Sequence, residues 1–182
     1  MKTSTSSAEL IIRAAEDLLE RIGPERMTMR AICAAAGVTA PTLYHYFGDK
    51  GHLMDELVNR GIDEFLADRR SFRETDDPLL DLKRGWDRFL AFGFEHPWLF
   101  RLMIERVMQY PEIASEMHAL TRSRLVRLCN MGRLRTDVEF ASKALKIATN
   151  AVIALFVQGE PKEEIRRISS FLFEAVTARL IV

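Results

Sequence analysis

The chain has 182 residues, of which 48% are hydrophobic and 29% charged, and its 26 Lys and Arg balance 26 Asp and Glu. That composition excludes a disordered or fibrous chain, and the zero net charge excludes a general basic field that would hold any nucleic acid. Cys33 and Cys129 stand 96 positions apart, match no metal spacing and suit a reducing, cytoplasmic setting. Met1 to Ser7 is polar, with no apolar run of a signal peptide before Leu10. The most apolar stretch, residues 144–157, carries Lys146 and Asn150 and reads as too short for a bilayer, which needs roughly 20 apolar residues. No membrane partner is expected.

Apolar residues recur at helical spacing throughout, with no convincing alternating strand, so the chain is expected to be all-α. The first helix is predicted over residues 7–22, with Leu10, Ala14, Leu18 and Ile22 on its core face, and Gly23-Pro24 ends it. Short helices follow over residues 29–36, stopped by Gly37, and 40–47, stopped by Gly48-Asp49. A longer helix runs from about 50 to 70. Asp76-Asp77-Pro78 is the clearest linker. Five more helices are predicted over residues 79–95, 97–108, 112–131, 139–158 and 162–181. Pro97, Pro111 and Pro161 fall where proline is tolerated, in or just before a first turn.

Residues 28–47 carry the most information, and they read as a helix-turn-helix. Thr28 can cap the first helix, and Ile32 faces the core. Cys33 and Ala36 are small enough for a second helix to cross closely. Gly37 supplies the positive φ of a tight turn, and Val38 fills the space beneath it. Thr39 can cap the second helix, with Pro41 in its first turn. Leu43 and Phe47, four apart, point inward. Ala40, Pro41, Thr42, Tyr44 and His45 are left facing outward on a helix short enough to enter a major groove. Arg30 and Lys50 flank it and suit phosphate, and the start of the helix at Lys50 also favours an anion. Between Arg26 and Lys50 three basic residues meet one acid, whereas residues 1–60 hold 7 basic against 8 acidic.

Thr28-Met-Arg30, Ala36-Gly37-Val38-Thr39, Thr42-Leu43-Tyr44-His45-Tyr46-Phe47 and Asp49-Lys50 resemble the N-terminal signature of TetR-type (TetR/AcrR) transcriptional regulators, over about residues 9–57. The resemblance implies an N-terminal helix-turn-helix three-helix domain and a C-terminal helical bundle for ligand binding and dimerisation. The domains are set at residues 1–52 and 53–182, with the helix over 50–70 connecting them. The implied DNA contacts are Thr28, Arg30, Thr39, Ala40, Pro41, Thr42, Tyr44, His45 and Lys50, with Tyr44 and Lys50 on phosphates. Ala40 departs from the polar residue often found there and offers only a methyl contact, for instance to thymine. The implied function is a cytoplasmic, ligand-responsive regulator, a repressor that binds a palindromic operator as a homodimer and is released by a small effector. Gly93, His96-Pro97 and Phe100-Arg101-Leu102-Met103 resemble, more loosely, a pattern of one regulator subgroup.

Trp86, Phe89, Phe92, Phe94, Trp98, Phe100, Met103 and Met108 form an aromatic and methionine cluster. It reads either as core or as the lining of a cavity for an apolar or aromatic ligand, with His118, Arg122 and Asn150 as candidate polar contacts and Arg101 and Glu105 beside them. Arg122, Arg124, Arg127, Arg133 and Arg135 read as a solvated basic face rather than a second nucleic-acid surface. Phe140, Ala144, Ala148, Ala151 and Leu155, with Ile165, Ile168, Leu172 and Ala175, give the last two helices apolar stripes that a two-fold dimer would bury. No catalytic or metal motif is present, so neither an enzyme nor a cofactor is expected. The competing reading is a helical bundle that binds small molecules without an operator.

Overall fold

A computed structural model describes residues 6–182 of the chain, which leaves the first five positions of the polar start outside the described residues. Among the described residues there are nine α-helices: α1 (Ser7–Arg26), α2 (Met29–Ala36), α3 (Ala40–Phe47), α4 (Lys50–Arg70), α5 (Pro78–Glu95), α6 (Pro97–Gln109), α7 (Ser115–Asn130), α8 (Val138–Gln158) and α9 (Lys162–Leu180). The all-α reading therefore holds. One isolated antiparallel bridge, Leu134 to Ile181, escaped the sequence pattern because it is a single pair rather than an alternating run. A helix expected to start near 112 opens instead with a 3-10 turn over Pro111–Ala114, before α7 begins at Ser115.

Local chemistry sets most helix boundaries. Ser6, Thr28, Thr39 and Asp137 each accept a backbone N–H three residues on, which satisfies one of the unpaired donors of a first turn. α1 breaks where Gly23-Pro24 was expected to break it: Gly23 takes φ 78° and ψ 165°, and one further turn reaches Arg26. The core face of α1 is rotated from the expected one. Ile11, Ile12, Ala15, Leu18 and Leu19 are buried, while Leu10 is exposed. Both stripes share Leu18, and packing chose the wider one, which presents two β-branched residues in succession.

The contacts fall into two compact units. The first runs to Glu64 and includes His96–Met103; the second comprises Phe65–Glu95 and Ile104–Val182. In the first, α1, α2 and α3 pack on one another around Ile11, Leu19, Met27, Ile32 and Leu43, with Leu53 and Leu57 of α4 also fully buried. Burying a side chain of this size stabilises by roughly 1.5–3 kcal/mol. The opening turn of α6 belongs to this unit. Glu20 of α1 accepts hydrogen bonds from the backbone N–H of Trp98 (3.1 Å) and Leu99 (2.9 Å), and the Trp98 ring lies over Gly23. Arg60 of α4 clasps Glu9 through two bonds, at 2.8 and 3.0 Å, with Glu16 and Glu64 beside it.

In the second unit α5 and α8 flank α7, and α9 packs on α8 and α5. Its core includes Leu125, Leu128, Ala141, Val152 and Phe173. Trp86 donates its indole N–H to the Ser169 hydroxyl at 2.7 Å, so the buried ring keeps a polar partner. Asp81 is fully buried. Burial alone would raise its pKa, but the Arg127 guanidinium (2.8 Å) and the Thr75 amide and hydroxyl hold it below the ordinary carboxylate value.

The expected apolar stripes are only partly outward. Phe140, Ala151 and Ala175 are exposed, whereas Ala148 and Ile165 are buried. The most exposed large apolar side chains on these helices are Ile147 and Phe171, each 68% exposed. α8 is also longer than the apolar stretch taken from the sequence. At 21 residues and a mean hydropathy of 1.5 it is long and apolar enough, by those measures, to cross a membrane. That corrects the expectation that the stretch falls short.

Candidate functional site

The reading helix is built by its turn. Gly37 ends α2 in the left-handed region (φ 67°, ψ 30°), and both its N–H and that of Val38 turn back toward the Cys33 carbonyl. A side chain at that φ would be strained, so glycine fixes the crossing of α2 and α3. Thr39 then caps α3. Its Oγ1 accepts the Thr42 N–H and shares a 2.9 Å hydrogen bond with the Thr42 hydroxyl. Leu43 is fully buried and Phe47 half-buried, which anchors the inner face of the helix. Ala40, Pro41, Tyr44 and His45 are exposed along the outer face, with Thr42 half-buried at its edge. Tyr46, part of the signature but not among the implied DNA contacts, is exposed as well and packs edge-on against His45, 5.4 Å between centroids.

The flanking residues surround that face. Thr28 and Arg30, at the start of α2, are both exposed, and the Thr28 hydroxyl accepts the Ala31 N–H at 3.1 Å. Lys50 is half-buried and donates to the Pro24 carbonyl at 2.7 Å, which ties the end of α1 to the start of α4 and leaves two ammonium hydrogens unspent. The start of α4 is less open to an anion than its sequence suggests. The Asp49 carboxylate already accepts the His52 N–H at 2.9 Å, and it is held below the usual carboxylate pKa by that bond and by the His52 ring.

A separate cavity of about 790 Å³ opens within the second unit. Of the residues expected to line a ligand site, Trp86, Phe89, Met108, His118, Arg122 and Asn150 border it. Phe92 does not; it packs on Phe65, 5.0 Å between centroids. Trp98, Phe100 and Met103 lie in the first unit, in the opening turns of α6. Near the cavity, burial and the Lys146 charge lower the pKa of His118. Two buried charged residues of the cavity were not foreseen there, Arg69 unmentioned and Arg124 read as part of a solvated face; they are 8% and 3% exposed. The signal was present. Arg69 follows Phe65 by four and Arg124 precedes Leu128 by four, so each sits on an apolar helix face. The supposed solvated arginine face holds only in part: Arg122 and Arg135 are exposed. Arg124 is buried, Arg127 pairs with Asp81 and Glu74, Arg133 pairs with Asp77, and Arg135 donates to the Ile181 carbonyl.

Residues 11–57 match the family of bacterial regulatory proteins known as the tetR family. The chain is 29% identical over 97 residues to an uncharacterised helix-turn-helix transcriptional regulator of Haemophilus influenzae, covering 53% of this chain and 52% of that protein. It is 27% identical over 142 residues to the transcriptional repressor AcnR of Corynebacterium efficiens, covering 73% and 71%. It therefore spans about half the length of the first relative and nearly three quarters of the second. Its fold resembles that of SmeT, the repressor of the Stenotrophomonas maltophilia multidrug efflux pump SmeDEF, with a TM-score of 0.71 at 23% identity, covering 100% and 93% of the two chains. It is similarly close to a TetR-like regulator from Rhodococcus, with a TM-score of 0.65 at 24% identity, covering 97% and 96%.

Proposed function

We propose, proceeding from the premise that this chain belongs to the TetR family of DNA-binding transcriptional regulators, that it is an effector-responsive repressor acting in the cytoplasm. The observation that carries this reading is the outer face of α3, exposed on a turn fixed by Gly37 and on a cap fixed by Thr39. A homodimer would set two such helices into successive major grooves of a palindromic operator, about one helical turn apart. Arg30, Tyr44 and Lys50 would take phosphates and fix register. Thr39, Thr42 and His45 would meet base edges, with methyl and ring contacts from Ala40 and Pro41, while Thr28 supports the start of α2. The exposed stripe of α8 and α9, centred on Ile147 and Phe171, supplies apolar surface for a dimer seam and gives α8 a use that needs no membrane. The cavity of the second unit would admit the effector, and a ligand that favours one arrangement of the paired heads would shift the population toward it and release the DNA.

The test is selection from a random double-stranded DNA library on the purified protein, with sequencing of the retained pool. An enriched inverted repeat, bound less tightly as salt rises, is the expected result. No enrichment at low salt by a folded dimer would overturn the operator reading and leave a ligand-binding bundle.

A further inference from the structure

The cavity of the second unit is apolar over much of its wall, yet two guanidinium groups are sunk into it. Arg69 of α4 and Arg124 of α7 converge on Gly85 of α5. A Cβ at Gly85 would lie 2.7 Å from Arg124 Nη1 and 3.4 Å from Arg69 Nη2, so a side chain there would push the Arg124 guanidinium from its place. Arg69 spends one donor on the Gly85 carbonyl at 2.9 Å. The Nε atoms of both arginines are buried without a hydrogen-bond partner, and among the described residues neither side chain forms an ion pair. The surrounding carboxylates are already engaged: Asp81 by Arg127 and Thr75, Glu74 by Arg127, Asp68 by Arg88. Phe65 under Arg69 and Phe72 under Arg124 add aromatic faces, and the charges of Asp68 for Arg69 and of Asp81 and Glu74 for Arg124 act on them from beyond ion-pair distance. Burial, then the neighbouring Arg124 charge, lowers Arg69 to about 10, which leaves it cationic at neutral pH; burial also lowers Arg124.

Two unpaired, desolvated like charges are costly to hold side by side, and a protein keeps buried charge where something neutralises it. The rest of the lining leans the same way. With Arg122, Lys143 and Lys146 it presents five cationic side chains against the single carboxylate of Glu139. Trp86, Phe89 and Phe173 offer an apolar wall beside the arginine pair.

We infer that the effector of this protein is an amphipathic organic acid, its anionic head held between Arg69 and Arg124 and its apolar body against Trp86 and Phe89. Two guanidinium forks meet an oxyanion with paired opposite charge and bidentate hydrogen bonds, which an alcohol or hydrocarbon cannot match. The inference rests on the effector reading above and narrows it to a chemical class.

The test uses the full-length protein and two dyes of the same aromatic skeleton: 8-anilinonaphthalene-1-sulfonate, which is an anion, and N-phenyl-1-naphthylamine, which is neutral. Trp98→Phe leaves Trp86, in the cavity wall, as the only tryptophan, so energy transfer from it reports entry. The anionic dye is expected to bind about tenfold tighter than the neutral one. Decanoate should displace it, and decanol should not. Arg124→Met should abolish the discrimination, and Arg124→Lys should restore part of it. Arg69→Met is the independent second variant should Arg124→Met fail to fold. Equal affinity for the two dyes, or discrimination that survives both Met variants, overturns the organic-acid inference and leaves the effector cavity standing. Entry of neither dye overturns the effector reading as well.

Discussion

At Lys50 the ammonium group turns inward first, onto the Pro24 carbonyl, so a phosphate would meet a side chain already held in place. Lys50→Ala is expected to weaken binding to every duplex alike and to reduce the salt slope by about 1, as measured by titration at several salt concentrations; an unchanged slope would remove Lys50 from the phosphate contacts. Thr42→Val keeps the shape but loses the hydroxyl bonded to Thr39, and should change base preference at one operator position. Repeating the library selection with this variant checks it, and identical selected sites would show that Thr42 does not read bases. Glu9 offers a pH-dependent case. Hydrogen bonds from Arg60, then from Arg13, lower its pKa to about 2 from an ordinary 4.5. A depressed carboxylate stabilises the fold fully above its unfolded value and loses that contribution as pH falls through the folded one. Glu9→Gln should therefore lower the Tm at pH 7 and lose its effect between about pH 4.5 and 2, as seen in thermal melts across that range. Caps such as Thr28 and Thr39 were legible in the sequence because their hydrogen bonds close within three residues. Arg124 was not, because the burial that defines it comes from α5 and a phenylalanine far away in the chain.

The boundaries of elements follow the same division between local and long-range causes. α2 and α3 begin and end on residues that cap them chemically, and their limits were readable without any tertiary information. Gly37→Ala places a Cβ at φ 67° and should cost about 1 kcal/mol or more, seen as a lowered Tm. It should also weaken DNA binding, since the angle between α2 and α3 depends on that residue. The face of α1 was misjudged because two overlapping stripes fit one helical period, and only packing around Ile11, Ala15 and Leu19 separates them. α8 presents the inverse problem. Its composition marks an apolar helix, and composition alone does not distinguish lipid, core and subunit seam. Phe171→Glu or Ile147→Glu should convert a dimer into a monomer of 20.9 kDa in sedimentation velocity. A dimer that survives both substitutions would move the seam elsewhere.

For the whole molecule, the sequence told of helices in order and of one strongly patterned segment, and it did not tell which turns belong together. The expected boundary near residue 52 follows the end of that segment, whereas the contacts divide α4 after Glu64 and bring His96–Met103 into the first unit. A capping glutamate 78 residues from the helix start it serves leaves no trace in local pattern. That arrangement has a practical consequence for anyone wishing to graft this reading head onto a different sensor. A gene fragment ending at Glu64 would leave Glu20 without the two N–H groups it accepts from, and Gly23 without the indole that covers it. A working chimaera has to import residues 96–103 along with the first 64, or redesign the surface they shield.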